Sequence, residues 1–336
     1  MKVAILAHEL FPDGAKTAVG VMRYGEYDVV AVLDRENAGD RVRDHIDLPD
    51  APIVASMDEV ESCDALLIGI APIGGGFEDS WREDVRTALS RGCDVISGLH
   101  YFLTEDEEFV RLAEENGCEL RDVREPHGEL GVSDGVAAEV DAEIVLTVGT
   151  DCSVGKMTAT LELVEAAKEA GVDAGFIPTG QTGIMIDGWG NPIDRVISDF
   201  TAGAVEEMIL ERGDDHDVLF VEGQGSIVHP AYSAVTCGIL HGAMADRLVL
   251  CHEDGREAIH GYESFSLPSI PSYTKLYEEL ARPVHEAEVV AGMLNTRYVE
   301  DESDAREAVD SYAEELGAPA TDPVRFGAEE VLEAVL

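Results

Sequence analysis

Lysine is almost missing from this 336-residue chain: Lys2, Lys16, Lys156, Lys168 and Lys275 are all it has. Lysine and arginine together number 23 against 69 aspartates and glutamates, a formal net charge of -46. A chain so poor in cations repels nucleic-acid phosphates and anionic membranes, so neither is an expected partner. Long apolar runs are missing as well. No segment approaches the roughly 20 residues that a membrane helix needs, and the opening Met1-Lys2-Val3-Ala4-Ile5-Leu6-Ala7 is too short for a signal peptide and reads as a strand. Paired cysteines are the third absence. Cys63, Cys93, Cys118, Cys152, Cys237 and Cys251 form no CxxC and show no metal-ligand spacing. Free thiols in a reducing cytoplasm are therefore expected, and a bound metal is not.

What the chain does have is a hydrophobic content of 45%, with apolar runs recurring throughout and the acids dispersed between them. That pattern argues against disorder and for a folded protein whose acidic surface suits a very salty, halophilic cytoplasm. The length allows two α/β domains, each with its own core.

The chemistry centres on Gly149, Thr150, Asp151, Cys152, Ser153, Val154, Gly155, Lys156, Met157 and Thr158. An apolar run, Ile144 to Val148, precedes this stretch and reads as a buried parallel strand. Helical spacing of apolar residues follows from Ala159 to Ala170. A strand, a glycine-bounded loop, Gly-Lys and a helix make a phosphate loop. Its backbone N–H groups turn inward, and the helix N-terminus and Lys156 add positive charge. The lysine is expected to face solvent. Met157 stands where a nucleotide-hydrolysing loop carries the Ser or Thr that ligates magnesium.

Residues 1–135 alternate strand and helix and predict a Rossmann-like parallel sheet, with a strand from Asp28 to Asp34 ending in an acid. The first turn, from Ala7 to Thr17, holds a proline and no GxGxxG, so a dinucleotide site there is not favoured. The cluster Pro72-Ile73-Gly74-Gly75-Gly76 reads as a loop at the ligand-binding edge of that sheet, with Lys16 and His100 as further candidates. Turn-forming composition from Asp122 to Asp141 marks the junction.

Residues 136–336 form the second domain, a P-loop α/β fold. There the run Asp217 to Val221 ends in Glu222, followed by Gly223-Gln224-Gly225-Ser226 and, seven residues beyond the acid, His229. A carboxylate closing the strand beside a phosphate loop is where such folds hold magnesium or a general base. His252 and His260 lack zinc spacing.

Gly149-Thr150-Asp151, Val154-Gly155-Lys156, Pro178-Thr179-Gly180 and Val221-Glu222-Gly223 resemble dethiobiotin synthetase and its P-loop relatives over the second half. The whole chain is similar to a two-domain family of formerly unknown function, Rossmann-like in front and P-loop behind. Ser97-Gly98-Leu99-His100, Thr179-Gly180-Gln181-Thr182-Gly183, His229-Pro230-Ala231-Tyr232-Ser233 and Thr321 to Gly327 carry that likeness. The resemblance implies an acetyltransferase of D-amino acid metabolism, moving acetyl from acetyl-CoA to the amine of D-glutamate. In that reading the loop holds coenzyme A phosphates without cleaving them, and Glu222 or His229 is the base. The Gly223–Ser226 amides or Gln224 supply donors for the oxyanion. Gln181 and the scarce cations Arg256, Arg297 and Lys16 face the substrate. A homo-oligomer acting on small molecules in the cytoplasm is expected. Two alternatives stay open at this point. One is an ATP-dependent ligase or kinase with Thr158, Asp199 and Glu222 on magnesium, and the other is a non-catalytic nucleotide-binding module.

Overall fold

A computed structural model describes residues 1–72, 75–126 and 128–336. The chain divides into two compact units.

The first unit comprises Met1–Pro126 together with Ile184–Pro192. Its strands are β1 (Lys2–Leu6), β2 (Asp28–Leu33), β3 (Ile53–Val54), β4 (Ala65–Ile68), β5 (Asp94–Ser97) and β6 (Leu120–Asp122). They pair in parallel in the order β3-β2-β1-β4-β5-β6. Crossovers pass through α1 (Lys16–Tyr24), α2 (Arg82–Ser90) and α3 (Glu107–Asn116). β1 and β4 are almost wholly apolar because helices cover both faces of a parallel sheet. Local rules set the helix ends. The Asp106 carboxylate accepts the N–H groups of Glu108 and Phe109 at the start of α3, and Gly117, at φ 70°, ends it. Ile184 and Met185 join this unit's core although they follow the phosphate loop in sequence. Ile73 and Gly74 of the glycine cluster lie outside the described residues.

Asp34, at the end of β2, is fully buried. Its buried carboxylate accepts the N–H of Glu9 at 2.7 Å, the Asn37 side-chain amide at 2.7 Å and the N–H of Glu36 at 3.3 Å. The acid at the end of the second strand therefore fastens the turn after the first, which has no glycine fingerprint of its own.

The second unit holds the rest of the chain. Its sheet runs β14-β13-β10-β7-β9-β8, all parallel. These strands are β7 (Glu143–Gly149), β8 (Ala174–Ile177), β9 (Val218–Val221), β10 (Arg247–Glu253), β13 (Glu288–Asn295) and β14 (Ala320–Thr321). An antiparallel pair, β11 (Ala258–Ile259) and β12 (Tyr262–Ser266), stands apart from it. The helices are α4 (Lys156–Glu169), α5 (Gln181–Asp187, whose end joins the first unit), α6 (Thr201–Arg212), α7 (Ser233–Ala243), α8 (Ile270–Ala281), α9 (Glu302–Leu316), α10 (Pro323–Phe326) and α11 (Glu329–Val335). β7 lies centrally, between β10 and β9, so the loop after it opens at the C-terminal edge of the sheet. Among the described residues no helix is long and apolar enough to cross a membrane.

Candidate functional site

The loop between β7 and α4 turns through Ser153 at φ 57° and Gly155 at φ 103°. α4 then begins at Lys156 with no side-chain cap on its first turn and no acid in it. Sequence reasoning expects Lys156 to face solvent, but the structure corrects this. Only 7% of the residue is exposed, and Nζ donates to the Asp151 carbonyl at 2.8 Å. Gly149 makes the return possible, because a Cβ there would sit 2.9 Å from Nζ and 3.1 Å from Cδ. Met157 and Thr158 are half-buried in the first turn.

Hydroxyl groups that sequence reasoning missed hold the loop's carbonyls. Tyr277 donates to the Gly149 carbonyl at 2.7 Å, and Tyr273 to that of Thr150 at 2.7 Å. Ser226 also donates to the Thr150 carbonyl, at 2.9 Å. Burial pushes both phenol pKa values up, so they stay donors. With these acceptors engaged from α8 and from the β9 turn, and the Thr150 and Cys152 N–H groups taken by the Cys251 carbonyl and Asp151, the N–H groups from Ser153 onward are the ones that could meet an anion.

Asp151 is the acid inside the loop, and it is fully buried. Oδ1 accepts the Cys152 N–H at 2.7 Å, and Oδ2 accepts Arg256 Nη1 and the His260 N–H, both at 2.8 Å. Arg256 also donates to the Cys152 carbonyl at 3.1 Å and pairs with Glu253 through Nε, at 2.9 Å, and through Nη2. Arg297 meets the other Glu253 oxygen at 2.8 Å. Arg256 is therefore brought to the loop and Arg297 to Glu253, but their charges face the chain's own acids.

On the other side β9 ends in Glu222, which is 7% exposed. Its Oε2 accepts the N–H groups of Thr179 and Gly180, each at 3.1 Å, and its carbonyl accepts the Thr179 hydroxyl at 2.7 Å. Gln224 gives its side-chain amide to the Thr179 carbonyl at 2.5 Å and to Thr179 Oγ1 at 3.2 Å. The N–H of Gly223 is taken by Thr147 Oγ1 at 3.2 Å. Only glycine fits there, since a Cβ would lie 1.8 Å from the Thr147 carbonyl oxygen. Gln181 is buried at the start of α5, just after this turn.

His229 is 1% exposed. Its Nδ1 accepts the N–H groups of Ala231 at 3.1 Å and Tyr232 at 3.2 Å. Burial depresses its pKa. One ligand atom each from Asp151, Cys152 and His229 lie within 4.8 Å of one another. Within this trio Asp151 already accepts three N–H donors and His229 Nδ1 two. Lys16 is exposed at the start of α1 in the first unit. Asp199 is exposed in the turn Ser198–Phe200.

Comparison with known proteins adds three findings. Residues 131–332 match the domain of unknown function DUF1611_C, described as a P-loop domain, and residues 35–126 match the Rossmann-like domain DUF1611_N. A D-glutamate N-acetyltransferase from Tritonibacter scottomollicae is 37% identical over 287 residues, covering 83% of this chain and 84% of that protein. Another, from a Pseudoalteromonas species, is 37% identical over 268 residues, 79% of each. Finally, the crystal structure of a DUF1611 family protein from Anabaena variabilis superposes with a TM-score of 0.95 at 39% identity, covering 99% of this chain and 98% of that one.

Proposed function

The chain belongs to the DUF1611 family, and on that footing we propose that it is an N-acetyltransferase that moves acetyl from acetyl-CoA to the amine of D-glutamate. The observation that carries this reading is the 37% identity, across four-fifths of the chain, to proteins named for that activity. The site is compatible with it. The loop amides and Lys156 take phosphates of coenzyme A, and Met157, in place of a magnesium-ligating hydroxyl, suits phosphates that are held and not cleaved. A pantetheine arm is roughly 15 Å long when extended. An arm of that length would have to bring its thioester from the loop to the β8 and β9 turns for Glu222 to act.

There Glu222 takes the proton from the substrate ammonium. The amine nitrogen then bonds to the acetyl carbon, the C–S bond breaks, and the nitrogen's second proton goes to the departing coenzyme A thiolate. The acidic surface belongs to the same proposal, as that of an enzyme working in a salty cytoplasm on small molecules. Incubating the protein with acetyl-CoA and D-glutamate and looking for N-acetyl-D-glutamate by mass spectrometry tests it.

A further inference from the structure

Acetyl transfer needs a donor for the oxygen that becomes negative when the amine adds to the thioester. Two of the donors that the sequence offers near Glu222 are already engaged. The Gln224 amide nitrogen donates to Thr179, and the Gly223 N–H goes to Thr147. His229 is different. Two backbone N–H groups converge on Nδ1, which fixes that nitrogen as an acceptor and leaves the ring proton on Nε2. Among the described residues Nε2 has no hydrogen-bond partner, although the residue is 1% exposed. Nor is it one of the polar atoms sealed from solvent without a partner. Tyr232 and Tyr262 pack against the ring, with centroids 4.6 and 5.2 Å away, and hold its plane. Asp151 and Lys156 of the phosphate loop are charged groups that act on it.

We propose that His229 acts in acetyl transfer as a fixed hydrogen-bond donor, its Nε2–H stabilising the oxyanion at the acetyl carbonyl, and not as the base. The role rests on the acetyltransferase reading above. It also explains why a buried imidazole lies at the loop's edge with one nitrogen tied down. A base would need a free lone pair toward the substrate, and here the lone pair of the neutral ring points into the Pro230–Tyr232 turn.

Two substitutions separate the roles. His229→Gln carries an N–H to about the place of Nε2 but loses the acceptor for the turn. His229→Asn keeps an acceptor near Nδ1 but cannot reach as far. A donor role predicts that the glutamine variant stays within about tenfold of wild type, while the asparagine variant loses ~10²–10³ in kcat at unchanged KM for acetyl-CoA. Asparagine doing as well as glutamine, or both failing alike, overturns the proposal. Nitrogen-15 NMR of the wild-type ring, assigned by the signal lost in His229→Gln, should show the Nε2–H tautomer, and an Nδ1–H signal would overturn it independently of activity. A wild type that makes no N-acetyl-D-glutamate brings down the acetyltransferase reading itself, and this role with it. Failure of His229 alone leaves wild-type turnover intact.

Discussion

Arg256 Nη1 donates to Asp151 Oδ2 at 2.8 Å, across 105 residues of sequence, with both side chains largely buried. A cation that the sequence suggests for substrate instead balances an acid built into the phosphate loop. Without it Asp151 and Glu253 face each other's field with little water to screen them. Arg256→Met should therefore cost about 3–5 kcal/mol in denaturant unfolding, the usual penalty for an orphaned buried charge. Asp151→Asn in the same chain should recover part of that loss. An Arg256→Met protein as stable as wild type would show that the pair contributes little.

Lys156 has two jobs, and one substrate comparison separates them. Its bond to the Asp151 carbonyl belongs to the loop's own structure, so Lys156→Ala should lower stability by about 1–3 kcal/mol. In the proposed function its charge serves the coenzyme's phosphates. The variant should raise KM for acetyl-CoA by an order of magnitude or more, yet leave the weaker turnover of phosphate-free acetyl-pantetheine nearly unchanged. Equal losses on both donors would place the coenzyme's phosphates elsewhere.

Acid should weaken the second unit through two histidines. Burial depresses the pKa of both His229 and His252, and the Nδ1 of His252 lies 2.8 Å from Thr150 Oγ1. A depressed folded value means the unfolded chain takes up the proton first. The stability these groups contribute is thus complete above the unfolded pKa, about 6.5, and is lost as pH falls from there toward the folded values. Each histidine contributes a slope of up to about 1.4 kcal/mol per pH unit in that window. Melting curves of His252→Asn between pH 7 and 5 should be flatter than those of wild type, and an unchanged slope would dismiss His252 as a contributor.

The parts of the site legible in sequence are those made by neighbours along the chain. Gly149 to Lys156 declares itself because a strand, glycines, a lysine and a helix follow one another. Glu222 does so because a strand ends on it. The two parallel sheets follow from alternating apolar runs, and β7 and α4 appear within a few residues of where periodicity puts them. Contacts between distant segments stayed hidden. Tyr273 and Tyr277 reach loop carbonyls 123 and 128 residues away, and nothing in their local spacing points to the loop. The arginines look free because their partners, Asp151 and Glu253, are ordinary acids in a chain full of them. Burial of Lys156 depends on a folded-back side chain that no spacing encodes.

Salt should stabilise this protein. With 69 acids against 23 basic residues, self-repulsion is the largest long-range field the fold carries. The Debye length shrinks from about 10 Å at 0.1 M to about 3 Å at 1 M. The melting temperature should climb steeply between those concentrations with either sodium or potassium chloride. A flat response would mean that the acids are too dispersed to strain the fold.

Glu222 and the acetyl donor stand or fall together in one assay: wild-type protein, acetyl-CoA and D-glutamate in EDTA, without ATP, with product followed by mass spectrometry. We expect N-acetyl-D-glutamate and free coenzyme A in equal amounts, at a rate that added magnesium or ATP does not change. Glu222→Gln should make product ~10²–10⁴ more slowly. Glutamine keeps one oxygen for the Thr179 and Gly180 N–H groups but carries an amide in place of the other, so the variant's acetyl-CoA affinity is measured beside its rate. Product that forms only with ATP and magnesium, or ATP consumption with no acetylated amine, would contradict the account and make Glu222 a metal ligand.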